Sequence, residues 1–248
     1  MEVHAHSHSP RKKWNHYLWE FIMLFLAVFC GFLAENLREH FVEHQRARQY
    51  TRSFVEDLQT DTTNFAFLIG LYKEKTAVLD NLFYCYDTVT GNFKSNDCLF
   101  RIIRCSDGFP DLIYSDRTLQ QLKNAGGLRL LKQSDADSIT AYDNQLRVFQ
   151  KSETTTMQET QTLLRNLDYE LFNFRFNRQF WKDSFSRNAN FNEYPPLVLS
   201  TNAPLLNKYF NVLLAYTRQI HDQIDGIMIL KAKATSLIAY FESKQGAK

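Results

Sequence analysis

Histidines supply the first candidate chemistry. His4, His6 and His8 alternate in the opening segment MEVHAHSHSP. An extended chain would turn all three imidazoles to one side, as a Zn, Ni or Cu site requires. A polar, tag-like tail with weak metal affinity explains the same pattern, since no neighbouring groups are supplied to orient the rings. His40 and His44 form a second pair. Their i,i+4 spacing puts them on one helical face beside Glu39 and Glu43, again a possible metal pair. Polar neighbours at this spacing are routine on solvated helices. No metal, and no cofactor of any kind, is expected from either group.

The third candidate is Glu20, the one ionisable residue in an otherwise apolar stretch. Carboxylates inside membranes are costly and point to function by default. Glu20 lies about two turns into its helix, where it reaches the headgroup zone and meets the favourable end of the helix dipole. Interfacial anchoring is the leading expectation, followed by contact with a partner helix, and last ion or proton handling. Further along, Arg175 and Arg178 interleave with Phe174, Phe176, Phe180 and Trp181. Such mixing can bind nucleic acid. At helical spacing, however, Phe172, Phe176 and Phe180 share a face, the pattern of a core bordered by arginines. No nucleic-acid partner is expected, and a net charge of +2 implies no other polyanion. No phosphate loop, nucleophile elbow, zinc-protease helix or dinucleotide fingerprint is present.

The element that must position Glu20 is the most informative part of the chain. Trp14 to Leu37, WNHYLWEFIMLFLAVFCGFLAENL, follows a basic Arg11-Lys12-Lys13 triplet. As a helix it reaches about 36 Å, enough for a hydrocarbon core of about 30 Å. The uninterrupted apolar part, Phe21 to Ala34, is shorter and has the length of a buried core helix. The flanks favour a membrane span: Trp14, Tyr17 and Trp19 are placed where amphipathic rings sit at an interface. A cleaved signal peptide would need a small-x-small site, but Ala34 leads into Glu35, Asn36 and Arg38. Gly31, beside Cys30, would let another helix approach, with Phe32 and Glu35 flanking it. Trp14, Tyr17, Trp19, Glu20, Gly31, Phe32 and Glu35 are therefore the candidate contacts with lipid or a partner. Lys and Arg are balanced across the span. The triplet abuts it, whereas Arg38, Arg46 and Arg48 are interleaved with Glu35, Glu39 and Glu43, so a cytoplasmic N-terminus and a periplasmic C-terminal domain are expected.

The expected organisation is a polar tail over 1–13, a transmembrane helix over 14–37 and a helical-bundle domain over 38–248. The composition, with 21 Phe and 12 Tyr against 8 Gly and 5 Pro, favours long helices on an aromatic core. Leu37, Phe41, Phe54, Leu58, Phe65, Leu68, Tyr72, Leu79, Phe83 and Tyr86 follow three-to-four spacing. They predict one helix to about Val89, with a possible break over Thr60–Asn64. Ser115 or Asp116 should cap a short helix over Arg117–Asn124, stopped by Gly126-Gly127. Ser134 with Asp137 resembles a capping box. It would open a long helix through Tyr142, Leu146, Phe149, Met157, Leu164, Leu167, Leu171, Phe174 and Trp181. Asn202 should cap the last helix, with Pro204 in its first turn. Leu206, Tyr209, Leu213, Tyr216, Ile220, Ile227, Leu230, Leu237 and Phe241 would line its inner face. The fold class is all-α: the transmembrane helix continues into an antiparallel bundle of long helices. Among the cysteines, a Cys98–Cys105 bridge is open only if the segment between them is not helical, since a helix would part the pair by about 10 Å; pairing with Cys85 is the other route.

Two stretches carry a likeness. One runs from His4-x-His6-x-His8 and Arg11-Lys12-Lys13-Trp14 through Trp19-Glu20-Phe21 and Gly31-Phe32-Leu33-Ala34-Glu35. It continues in Glu43-His44-Gln45-Arg46 and Glu56-Asp57-Leu58-x-Thr60-Asp61. The other is Thr118 to Leu131, a short helix, a Gly turn and an apolar, strand-like exit. In these the chain resembles a family of uncharacterised single-pass membrane proteins common in Bacteroidetes. The resemblance implies an inner-membrane protein and transfers no catalytic residue. The expected function is a membrane-anchored scaffold or accessory subunit of an inner-membrane complex, acting by helix–helix association. Its partners would be the lipid bilayer and other membrane proteins, as a homo- or hetero-oligomer. A periplasmic ligand-sensing bundle signalling through a partner is the alternative, and a metal-dependent enzyme a remote one.

Overall fold

The computed structural model describes residues 14–87, 92–93, 95, 98, 100–101, 108, 110–183, 193–198 and 202–246. The chain divides into two units, up to Tyr50 and from Thr51 onward. Helix α1 covers Trp14–Asp80 and contributes to both. It is not broken over Thr60–Asn64. The Thr60, Thr62 and Thr63 hydroxyls donate to the Glu56 and Gln59 carbonyls of the preceding turn, which occupies their competing hydrogen-bonding capacity inside the helix. The helix ends short of Val89, at Asp80. After the turn at Asn81 come α2 (Leu82–Cys85) and a minimal antiparallel pair, β1 (Tyr86–Asp87) with β2 (Asn92–Phe93).

Next come α3 (Arg117–Asn124), a 3-10 turn over Gly127–Leu130 and α4 (Gln133–Ser152). The exit after Gly126 is therefore 3-10 and not strand-like; Gly126 supplies the left-handed residue (φ 67°) that the turn requires. The Ser134/Asp137 capping box does not form. Helix α4 starts one residue earlier, after an extended Lys132, and Asp137 accepts from the Gln133 side chain at 2.7 Å. A π-helical segment, Glu153–Met157, joins α4 to α5 (Gln158–Leu171). The long helix expected through Trp181 stops there. Phe172 forms an isolated bridge with Val198, and Asn173 caps α6 (Phe174–Asp183) by accepting the Arg175 amide at 3.0 Å. This re-phases the run: Phe172 and Phe176 are buried, while Phe174 faces outward. The last helix, α7 (Ala203–Gly246), is capped by Asn202, whose side-chain oxygen accepts the Leu205 amide at 3.3 Å.

The second unit is a bundle of α1 from Thr51, α4–α5 and α7, and the structure is all-α apart from the two-residue pairings. All nine apolar positions read on α7 are buried, as are Phe54, Leu58, Phe65, Leu68, Tyr72 and Leu79 of α1. Helix α7 runs antiparallel to both neighbours. Phe54 meets Phe241 edge-on at 6.1 Å, Tyr240 donates to Asp135 at 2.7 Å, and Phe172 meets Tyr209 at 5.6 Å. Helices α1 and α4 run in the same direction: Phe54 packs on Tyr142, and further along α1 Tyr72 comes within electrostatic reach of Glu153, just past the end of α4. Their connector is long, not short, because a parallel pair requires the chain to return along the bundle.

Gly226 of α7 faces the Phe149 ring of α4; a Cβ there would stand 2.8 Å from two ring carbons. Gly226→Ala gains about 1 kcal/mol of helix propensity but overpacks a filled site, which costs about 1–3 kcal/mol. The expected result is a lowered unfolding midpoint, and a stabilising effect of the same substitution in a Phe149→Leu background. Additive effects of the two changes would contradict this contact.

Candidate functional site

The residues singled out in the N-terminal unit lie along one helix. Trp14, Tyr17, Trp19 and Phe32 are exposed, and nothing lies within 4 Å of a Cβ placed on Gly31. His16 and Glu20 form an i,i+4 pair at 3.0 Å, and Glu35 accepts from Arg38 at 2.9 Å. Phe21, Phe25 and Phe29 stack at 6.4 and 5.8 Å, forming an aromatic ridge along one side. An 18-residue window in this helix has a mean hydropathy of 2.1 with none of it buried; it is long and apolar enough to cross a membrane. His40 and His44 are both exposed on α1. Among the described residues, no group of three or more His, Cys, Asp or Glu could hold a metal. His4, His6, His8 and Cys105 lie outside the described residues. Cys98 pairs with Cys85, with 5.6 Å between Cα atoms, so the Cys98–Cys105 bridge does not form. Cys85 ends α2 just before β1, which turns the chain back toward Cys98.

In the bundle, charges that the sequence reading did not single out as a site carry most of the polar architecture. Asp57 and Asp61, one turn apart on α1, reach the start of α3. Asp57 accepts the Thr118 amide and the Arg117 guanidinium, both at 3.2 Å. Asp61 accepts the Ser115 amide at 2.7 Å and the Tyr142 hydroxyl at 3.5 Å. Helix α3 spans Arg117–Asn124 as expected, but Asp116 makes no side-chain cap. A carboxylate from another helix fills that role. At the far end of α3, Lys123 bridges to Asp143 at 2.6 Å, and Arg147 joins the same carboxylate at 3.0 Å.

Burial and pairing sort these carboxyls. Burial opposes the charge on Asp143, but the hydrogen bonds from Arg147 and Lys123 outweigh it and hold its pKa below the usual range. Among the described residues Asp61 has no such cation. Burial raises it to about 6, against the Ser115 amide, with Asp57 adding repulsion. Glu153, in the π-helical segment, is 4 % exposed, and its Oε1 has no hydrogen-bond partner among the described residues. Burial and the Asp111 charge raise it to about 7, opposed by a hydrogen bond from the Leu112 amide. π-Helical segments cluster at functional positions, and the wider turn here points Glu153 and Met157 both inward. The site can bind and release protons near neutrality. Little in the sequence signals it: Glu153 sits in the polar run Lys151–Thr156, where an outward face reads more naturally.

Compared with protein-family models, with curated proteins and with solved structures, the chain matches none.

Asp57→Ala removes the capping carboxylate from the start of α3 and the partner of Arg117. Because Arg117 is 69 % exposed, the ion pair itself contributes little. The expected loss is about 1–2 kcal/mol, mainly from the cap and helix dipole. It is read as a lower denaturation midpoint, with the exposed Glu56→Gln as the neutral control. Equal midpoints for both variants would show that Asp57 does not cap α3.

Proposed function

We propose that the protein is a membrane-anchored scaffold or accessory subunit of an inner-membrane complex, working through helix–helix association. The observation that carries this reading is the wholly exposed apolar window of α1. Leu24, Phe25, Val28, Phe29 and Phe32 face outward, and an apolar surface of this extent is stable only against lipid or another protein. Trp14, Tyr17 and Trp19 gather where interfacial rings belong. In lipid there is little hydrophobic drive between helices, so partner contact would rest on close approach at Gly31 and on the His16–Glu20 pair.

The Cys85–Cys98 disulfide supports the orientation. Disulfides persist in oxidising compartments such as the periplasm. The bridge therefore favours a bundle outside the cytoplasm and the basic triplet Arg11-Lys12-Lys13 within it. The resemblance to single-pass Bacteroidetes proteins agrees with an inner-membrane location. A ligand-sensing bundle is the second reading; the buried carboxyl of Glu153 favours it.

A reporter active only in the cytoplasm, fused after Lys248, should stay silent, and activity there would reverse the orientation. After purification of the full chain in mild detergent, native mass spectrometry should show a reproducible oligomer or partner. Gly31→Leu should weaken that association by about 1 kcal/mol, roughly fivefold. A strictly monomeric chain would rule out the scaffold reading.

A further inference from the structure

Between Glu20 and Arg48, helix α1 has two unlike sides. Glu20, Ala27, Ala34 and Phe41 recur every seven residues, and Met23, Cys30 and Leu37 follow the first three at a distance of three. This is the a/d spacing of a seam between two helices. The ridge of Phe21, Phe25 and Phe29 falls at outward positions of the same repeat, on the opposite side. Within the apolar stretch the seam is narrow, at Ala27, Cys30 and Ala34, with the open backbone of Gly31 beside it. Past that stretch it becomes bulky: Leu37 and Phe41 are 70 % and 71 % exposed.

Phe41 decides what covers this face. Ala34 is the last residue before the charges of Glu35, Arg38 and Glu39 begin. At a rise of about 1.5 Å per residue, Phe41 stands about 10 Å further along the axis, beyond a headgroup layer of about 5–7 Å. Lipid can cover the seam at Ala27 but not at Phe41, where the exposed ring needs protein. At the other end, His16 and Glu20 pair at 3.0 Å, and with Trp19, Met23 and Leu24 they line a shallow recess. Residues 16, 19, 20 and 23 stand at i, i+3, i+4 and i+7, the four positions that form a hole for a side chain of a facing helix.

We propose that the partner on this seam is a second copy of the chain, its α1 packed in parallel. The inference rests on the reading of α1 as a membrane anchor and names its partner. Copies of one single-pass chain share an orientation, so identical positions meet at the same depth. The charges suit self-pairing. Two Glu20 carboxylates meet at one end, and each copy brings His16 one turn away on the same face. A carboxylate accepts from more than one donor, so each imidazole can bridge the two chains. A facing helix with no such donor would hold Glu20 from one side only. From Met23 to Phe41 no seam position carries a charge, and Arg38 beside it is held by Glu35 of its own chain at 2.9 Å. At Arg48 two guanidinium groups would meet, which ends the seam before the second unit begins at Thr51.

Disulfide cross-linking of the full chain in isolated membranes tests this, in a Cys105→Ser background that keeps the Cys85–Cys98 bridge. Oxidation by copper phenanthroline should convert the exposed Cys30 to a product of twice the chain mass. With Cys30→Ala added, Ala34→Cys, Leu37→Cys and Phe41→Cys should cross-link several-fold more than Phe25→Cys or Phe29→Cys. Phe41→Glu places two carboxylates opposite each other and should cut the Cys30 product several-fold, while the outward Arg46→Glu leaves it unchanged. Equal cross-linking on both sides, a maximum on the phenylalanine ridge, or a Cys30 product indifferent to Phe41→Glu would overturn the proposal. So would a product that joins the chain to a different protein, which would leave the scaffold reading standing. A chain that cross-links to nothing would count against both.

Discussion

Two of the three long helices of the bundle, α1 and α4–α5, run in the same direction. The chain must therefore travel back along the bundle between them, and the returning segment carries little apolar periodicity with which to bury itself. What holds its last part is a set of side chains reaching out from the long helices, with Asp57 and Asp61 at the centre. These carboxylates take the Ser115 and Thr118 amides and so fix where α3 begins. Once α3 is placed, Lys123 at its other end is delivered to Asp143 of α4. The position of one helix pair thus sets the position of everything between them.

This arrangement is a graded series of ways to bury a negative charge. Asp143 has two cations and stays charged at little cost. Asp57 has a helix N-terminus and one exposed arginine. Asp61 has the Ser115 amide and side chain and a long tyrosine contact, and Glu153 has one amide and an oxygen without a partner among the described residues. A burial cost that is unmet by pairing is met by protonation. The two least compensated groups also take the Leu112 and Ser115 amides of the segment that leads into α3. A bundle built only for rigidity gains nothing from an uncompensated glutamate at 153, where an apolar side chain of similar size would pack without that cost.

The sequence made some elements legible and hid others for physical reasons. The ends of α3 and α7 were readable because their signals are local: Gly126 supplies a left-handed turn, and Asn202 caps with its own side chain. The inner face of α7 was readable because burial follows the 3.6-residue period. The break at Asn173 was hidden, since Phe172, Phe174 and Phe176 offer helical and non-helical registers equally, and only the Leu197 carbonyl, 2.7 Å from the Asn173 amide, decides between them. The roles of Asp57 and Asp61 are tertiary: on α1 alone they read as solvated positions. The segments Glu56 to Asp61 and Thr118 to Leu131 meet in this contact.

If the exposed helix lies in a bilayer, as proposed, the N-terminal unit obeys a different solvent rule, and this separates anchoring from specificity. In water, its exposed phenylalanines would drive association with any apolar surface. In a bilayer those side chains are satisfied by lipid, so the ridge of Phe21, Phe25 and Phe29 is neutral with respect to partners. Selectivity within the membrane then falls to features that lipid serves poorly: the backbone laid open at Gly31 and the polar His16–Glu20 pair near the interface. On that reading the ridge side of the helix would be indifferent to partners along most of its length, and specificity beyond the N-terminal unit would fall to the bundle.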